Sequence, residues 1–145
     1  MTIDTSAEWW RSDEPQDLRE YLHALDGTYP IDAFSLATCE CGSGVFTLEY
    51  DAEAGDARRA CTACLRTHFI CDSGDYWAEA EPKTWECIEC SGIGANIGVG
   101  FSLYEPGGDV RWLYVGVRCA TCGILGCYVD WKVAYGPSNQ LIGMV

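Results

Sequence analysis

Apolar positions along this chain change their period near residue 33. Before that point, Leu18, Tyr21, Leu22 and Leu25 recur at helical spacing. Ser12-Asp13-Glu14-Pro15 ahead of them combines a capping residue, early acids and a proline suited to a first turn. The pattern predicts a short amphipathic helix from about Glu14 to Leu25, stopped by Asp26-Gly27. Beyond Ala33 the period becomes two. Phe34 and Leu36 alternate with Ser35 and Ala37, and Phe46, Leu48 and Tyr50 alternate with Val45, Thr47 and Glu49, before Ala54-Gly55-Asp56 turns the chain back toward Ala57 through Ala60. Thr67 through Cys71 reads as a third strand. The second half repeats the plan with longer strands: Ala95 to Tyr104 and Val110 to Arg118 flank a turn at Glu105-Pro106-Gly107-Gly108-Asp109. A last strand follows around Gly126 to Trp131. The expected class is mainly β, a small α+β fold with two tandem three-stranded antiparallel sheets and a short N-terminal helix. The apolar ending, Leu141-Ile142-Gly143-Met144-Val145, is expected to fold against a sheet as a tail or one helical turn.

One hairpin carries an unusual face. If Ile97, Val99, Phe101 and Leu103 point to the core, then Gly98, Gly100 and Ser102 leave the other face nearly bare. Across the turn, Leu113, Val115 and Val117 join the core, which turns Trp112, Tyr114, Gly116 and Arg118 to that bare side, with Tyr104 at its end. Glycine inside a strand costs stability, so a row of them asks for a reason. Either a neighbouring aromatic such as Trp9 or Trp10, or the C-terminal tail, lies across the row, or a platform rimmed by Trp112, Tyr114, Arg118 and Tyr104 receives a partner. The first account is the simpler, because two such halves must pack on something.

The strand ends carry the chemistry. Cys39 with Cys41, Cys61 with Cys64, Cys87 with Cys90, and Cys119 with Cys122 form close pairs, each two pairs separated by a hairpin's length of chain. Tight turns carrying two thiols, docked face to face, supply the four soft ligands of a tetrahedral zinc ion. Two zinc sites follow, with iron the alternative metal for the same sulfurs. Cys71 and Cys127 fall outside both sets and read as small buried side chains on the third strands. Cys71 remains an alternative ligand in place of Cys39 or Cys41, as does His68, and either spare thiol is a candidate for oxidation.

Composition decides between metal and disulfides. The N-terminal residues lack the basic and apolar regions of a secretory leader, and no apolar run is long enough to span a bilayer. The expectation is a cytoplasmic protein in a reducing compartment, where paired cysteines at this spacing are ligands. Each cysteine-rich half is too small to be stable on its apolar core alone, so metal acts as the staple. The formal charge is -13, with 17 acidic and 5 basic residues before Lys83 and 5 acidic and 4 basic from there on. Each four-thiolate site with a divalent ion adds a further -2. That field repels phosphate backbones and attracts basic partners.

Each half resembles a zinc ribbon or rubredoxin-like knuckle pair, over Cys39 to Trp77 and Cys87 to Trp131. The resemblance implies three-stranded sheets around four-cysteine sites, with Cys39, Cys41, Cys61 and Cys64 as one ligand set and Cys87, Cys90, Cys119 and Cys122 as the other. The expected organisation is an N-terminal arm, helix and lead-in strand over 1–38, a first module over 39–82 and a second with its tail over 83–145, packed as one compact unit. Two departures stand out: one residue separates Cys39 from Cys41 where two are usual, and Ser91 follows Cys90 where a glycine is usual.

Enzymatic chemistry finds little footing. His23 and His68 are the two histidines, no nucleophile pairs with a base, and the glycine-rich stretches lack the Lys and Ser or Thr of a phosphate loop. The expectation is a non-catalytic, zinc-stabilised acidic binding protein that engages a basic macromolecule, of immunity, inhibitor or adaptor type. The alternatives are a rubredoxin-like iron electron carrier and a nucleic-acid-binding ribbon. For the last, only Arg111, Arg118 and Lys132 offer a local patch.

Overall fold

The computed structural model describes residues 3–25, 27, 29–133 and 136–145. A 3-10 turn, Pro15–Asp17, leads into α1 (Leu18–Ala24), which buries Leu18 and Leu22. Ser12 does not cap this helix. Its hydroxyl donates to Glu14 O at 3.1 Å and accepts from Arg118 Nε at 3.2 Å. The expected stop at Asp26 lies outside the described residues. No helix among the described residues is long and apolar enough to cross a membrane.

Eight strands follow: β1 (Ala33–Leu36), β2 (Phe46–Asp51), β3 (Asp56–Cys61), β4 (Thr67–Phe69), β5 (Lys83–Thr84), β6 (Ala95–Leu103), β7 (Val110–Cys119) and β8 (Leu125–Lys132). The fold is mostly β with one short helix, as the alternation implies. Both three-stranded sets are present, β2-β3-β4 and β6-β7-β8, and they fuse into one antiparallel sheet of order β4-β3-β2-β6-β7-β8. The fusion point is the first residue of each hairpin, Phe46 opposite Ala95.

The short lead-in strands cross over. β1 precedes the first hairpin in sequence yet pairs with β6 of the second, Ala33 opposite Phe101 through Leu36 opposite Gly98. β5 precedes the second hairpin yet pairs with β2 of the first. The exchange is reciprocal in its hydrogen bonds: Ala37 N–H donates to Ile97 O at 2.8 Å, and Trp85 N–H donates to Leu48 O at 2.7 Å. Each donor stands two residues before its own module's first cysteine. Edge groups of each hairpin are thereby satisfied by the other half.

The sheet curls. Strand β8 comes to lie against β2 and β3, with the rings of Tyr50 and Tyr128 6.0 Å apart and the turn at Gly55 under Trp131. Phe46, Leu48, Ile97, Val99, Phe101, Leu113, Val115 and Val117 are wholly buried on the inner face together with Ile70 and Trp85. The C-terminal segment forms a 3-10 turn, Asn139–Gly143, which buries Leu141. Ser35 Oγ donates to Ile142 O at 2.7 Å and Cys71 N–H to Met144 O at 2.9 Å, so the tail closes against the sheet as its apolar character suggests.

Candidate metal centres

The knuckles repeat bond for bond. Cys39 N–H donates to Ser43 O at 2.9 Å and Cys87 N–H to Gly92 O at 2.8 Å; Cys61 N–H donates to Arg66 O at 2.9 Å and Cys119 N–H to Ile124 O at 2.8 Å. A left-handed residue closes each turn: Gly42 (φ 94) and Ser91 (φ 62) in the first knuckles, Leu65 (φ 64) and Gly123 (φ 80) in the second. Ser91 therefore adopts the conformation that a glycine would adopt more readily.

The sulfurs converge in two groups, Cys39, Cys41, Cys61 and Cys64, then Cys87, Cys90, Cys119 and Cys122, with all ligand atoms of a group within 4.8 Å of one another. Across the first group Cys39 Sγ lies 3.5 Å from Cys64 Sγ and Cys41 Sγ 3.6 Å from Cys61 Sγ. Across the second, Cys87 to Cys122 is 3.5 Å and Cys90 to Cys119 is 3.6 Å. A covalent S–S bond is about 2.05 Å, so these are not disulfides. Tetrahedral geometry with Zn–S near 2.3 Å separates sulfurs by roughly 3.8 Å, and the observed spacings lie close to that. The shorter first knuckle still brings Cys41 into register. Neither Cys71 nor His68 joins the group: Cys71 is buried with its thiol toward Leu141 O at 3.4 Å, and His68 Nε2 lies 3.0 Å from Met144 O. Cys71 sits just beyond β4 rather than on it, and Cys127 is half-buried on β8.

Backbone amides and crowding act on the sulfurs in opposite directions. N–H bonds from Cys64 and then Ala63 draw the Cys61 thiol down to about 6. Burial pushes Cys119 upward, but N–H bonds from Cys122 and Thr121, with its sulfur neighbours, bring it down to about 7. At Cys41 the Ser43 N–H bond pulls downward while Cys61 and Cys39 push harder the other way, to about 11. Burial drives Cys122 to about 12 despite an N–H bond from Ile124. Four thiolates cannot share so small a volume without a cation, and a metal ion bound there would take the place of the protons.

The two centres differ in their surroundings. Arg59, two residues before Cys61, is buried; burial lowers its guanidinium, while the charges of Cys39 and Cys61 raise it. It stacks 4.5 Å over the Phe46 ring and donates to Val145 O at 2.9 Å. The matching position before Cys119 is Val117. Arg66 pairs with Glu40 on the exposed side of the first centre. At the second, Arg11 donates to Cys122 O at 3.2 Å and pairs with Glu89 at 3.4 Å. Sequence reading overlooked Arg59; its signal is a cation within an alternating strand, two residues from a ligand.

The glycine face is covered, not bare. A Cβ on Gly98 would meet Phe34 Cζ at 2.6 Å, one on Gly100 would meet Ile31 Cδ1 at 2.9 Å, and one on Gly116 would meet Leu22 at 3.2 Å. The cover is α1, Ile31 and Phe34, rather than Trp9, Trp10 or the tail; Trp10 instead packs edge-on to Tyr21. Tyr114 is buried, with its hydroxyl 3.2 Å from Tyr29 N and 3.3 Å from Tyr29 O. Arg118 donates to Ser12 O at 3.0 Å and Asn96 Oδ1 at 2.9 Å. Trp112 Nε1 donates to Asp130 Oδ2 at 2.8 Å, and Tyr104 is exposed at the end of the hairpin. Close packing of apolar side chains therefore covers the glycines, as the simpler of the two accounts has it, while Trp112 stays half-buried and Tyr104 exposed beside them.

Comparison of the chain with protein-family models, with curated proteins and with solved structures gives no match.

Proposed function

We propose that this is a non-catalytic acidic binding protein, held in shape by two structural zinc ions, that engages a basic macromolecular partner. The observation that carries the metal part is the closure of both sulfur sets: four thiols converge within 4.8 Å in each. A site with four protein ligands keeps no position for water or substrate, which suits structure rather than catalysis. Charge carries the partner part. With -13 from the sequence and two tetrathiolate sites adding to it, the field favours cationic surfaces and disfavours phosphate.

A second reading has its own support. Backbone N–H bonds reach Cys41, Cys61, Cys90, Cys119 and Cys122. Such bonds tune the potential of sulfur-held iron, as a rubredoxin-like electron carrier requires. Metal analysis separates the two: two zinc per colourless chain supports the first reading, and a coloured, reducible iron protein supports the second. Titration with protamine and with duplex DNA at physiological salt tests the partner. Binding of protamine alone supports the proposal; binding of DNA alone overturns it.

A further inference from the structure

A cleft of about 690 Å3 lies between the 3-10 turn Ser73–Asp75 and the C-terminal turn Asn139–Gly143, and neither metal centre uses it. Among the described residues its walls are apolar at Phe69, Tyr76, Leu141 and Met144 and acidic at Asp72 and Asp75, with His68 beside them; no lysine or arginine is among these lining residues. Phe69 and Tyr76 remain 38% and 53% exposed, so aromatic surface is open to solvent at the rim. The three ion pairs among the described residues, Arg11–Glu89, Arg58–Glu49 and Arg66–Glu40, leave both aspartates without a cation. Asp72 already accepts one bond from Trp131 Nε1 at 3.0 Å, which fixes its carboxylate in place.

Asp56 is only 1% exposed, and neither of its carboxylate oxygens has a hydrogen-bond partner. It does not line the cleft; the neighbouring Ala57 N–H donates to Ser73 Oγ at 2.9 Å, in the turn that borders it. A buried carboxylate without a counter-charge is costly, and a cation arriving at Asp72 would offset part of that cost. The carboxylates do not form a metal site: among the described residues only the two cysteine groups bring ligand atoms together.

We propose that this cleft receives a lysine or arginine side chain of a basic protein partner, with Asp72 and Asp75 taking the charge and Phe69 and Tyr76 covering the stem. The volume lies within the range of pockets that take a drug-sized ligand, which is ample for one long cationic side chain. Long cationic side chains bury their methylenes on apolar surface while keeping the head on a carboxylate. Aromatic rims add cation–π attraction, as the chain itself illustrates where Arg58 lies 5.8 Å from the Phe69 ring and 5.0 Å from Trp77, which leaves the Phe69 edge and Tyr76 for the partner's stem.

This inference rests on the basic-partner reading above, and its test separates the two. A fluorescein-labelled pentalysine peptide is titrated into the metal-loaded full chain at physiological salt, by anisotropy and by amide shifts in NMR. The wild type is expected to bind, with the largest shifts at 72–76 and 138–144. Asp72→Asn with Asp75→Asn is expected to weaken binding about tenfold, whereas Asp13→Asn with Glu14→Gln, which removes equal charge elsewhere, changes it less than about twofold. Equal weakening by both double variants, shifts spread over the acidic N-terminal part, or no pentalysine binding at all overturns the cleft assignment. If protamine still binds, the acidic-binding reading survives that result; if protamine also fails, that reading falls too. An unchanged melting curve for the cleft double variant shows that any loss is local, because the asparagine amide oxygen still accepts from Trp131.

Discussion

Phe46 and Ala95 face each other across antiparallel β2 and β6, and this pair joins two hairpins that the chain builds separately. On either side of it Cys61 pairs with Phe46 and Ala95 with Cys119, so one row of residues runs from the first metal centre to the second. Phe46 is wholly buried and carries Arg59 on its ring. Phe46→Ala is expected to cost about 3–5 kcal/mol, read as a lower urea midpoint. Because the lead-in strands are exchanged across this row, both halves should lose structure in one transition.

The covered glycine row makes a steric forecast. Gly98→Ala places a methyl 2.6 Å from Phe34 Cζ, and the ring must move from under α1 to admit it. A loss of about 1–3 kcal/mol is expected in thermal unfolding, with a smaller one for Gly116→Ala, whose nearest neighbours stand at 3.2 Å. Equal stability in both variants would mean that α1 does not pack on the row.

Leu65 and Gly123 occupy the same left-handed position in the second knuckle of each module, and they should respond oppositely to exchange. Leu65 is 78% exposed and strained by its positive φ, so Leu65→Gly should be neutral or stabilise by up to about 1 kcal/mol. Gly123→Ala combines that strain with a Cβ 2.5 Å from Ser12 O, and should destabilise the N-terminal arm. Limited proteolysis ahead of residue 15 would report it.

Asp56 makes stability depend on pH. Burial, then the charges of Asp72 and Asp51, raise its carboxyl to about 6 from an ordinary 3.8. The folded state therefore holds this proton more tightly than the unfolded chain does. Stability associated with the protonated form is fully present below 3.8 and is lost as pH rises through about 6. Above that the penalty is on the order of 3 kcal/mol. Asp56→Asn should gain stability over the wild type at pH 7.5 and about half as much at pH 5, compared by urea unfolding at matched zinc.

The ligand sets and the hairpins were legible because both are local: thiol pairs at knuckle spacing, and alternation in Ile97, Val99 and Phe101. The glycines announced a close neighbour without naming it, since Leu22, Ile31 and Phe34 reach them from segments far earlier in the chain. The exchange of β1 and β5 left no mark in periodicity, because a short strand carries no signal for its distant partner. Arg59 reads as an ordinary polar position on an alternating strand. Its closeness to Cys61 is visible in the sequence, but only the folded chain brings it near Cys39 as well.

The most direct test of metal as the staple is to load the reduced chain with zinc, count the ions by native mass spectrometry, and then remove them with a strong chelator at pH 7. Two ions per chain and collapse of the near-ultraviolet circular dichroism on their removal, reversed by added zinc, is the expected result. A chain that carries no metal, or that keeps its spectrum and melting temperature after chelation, would contradict the account.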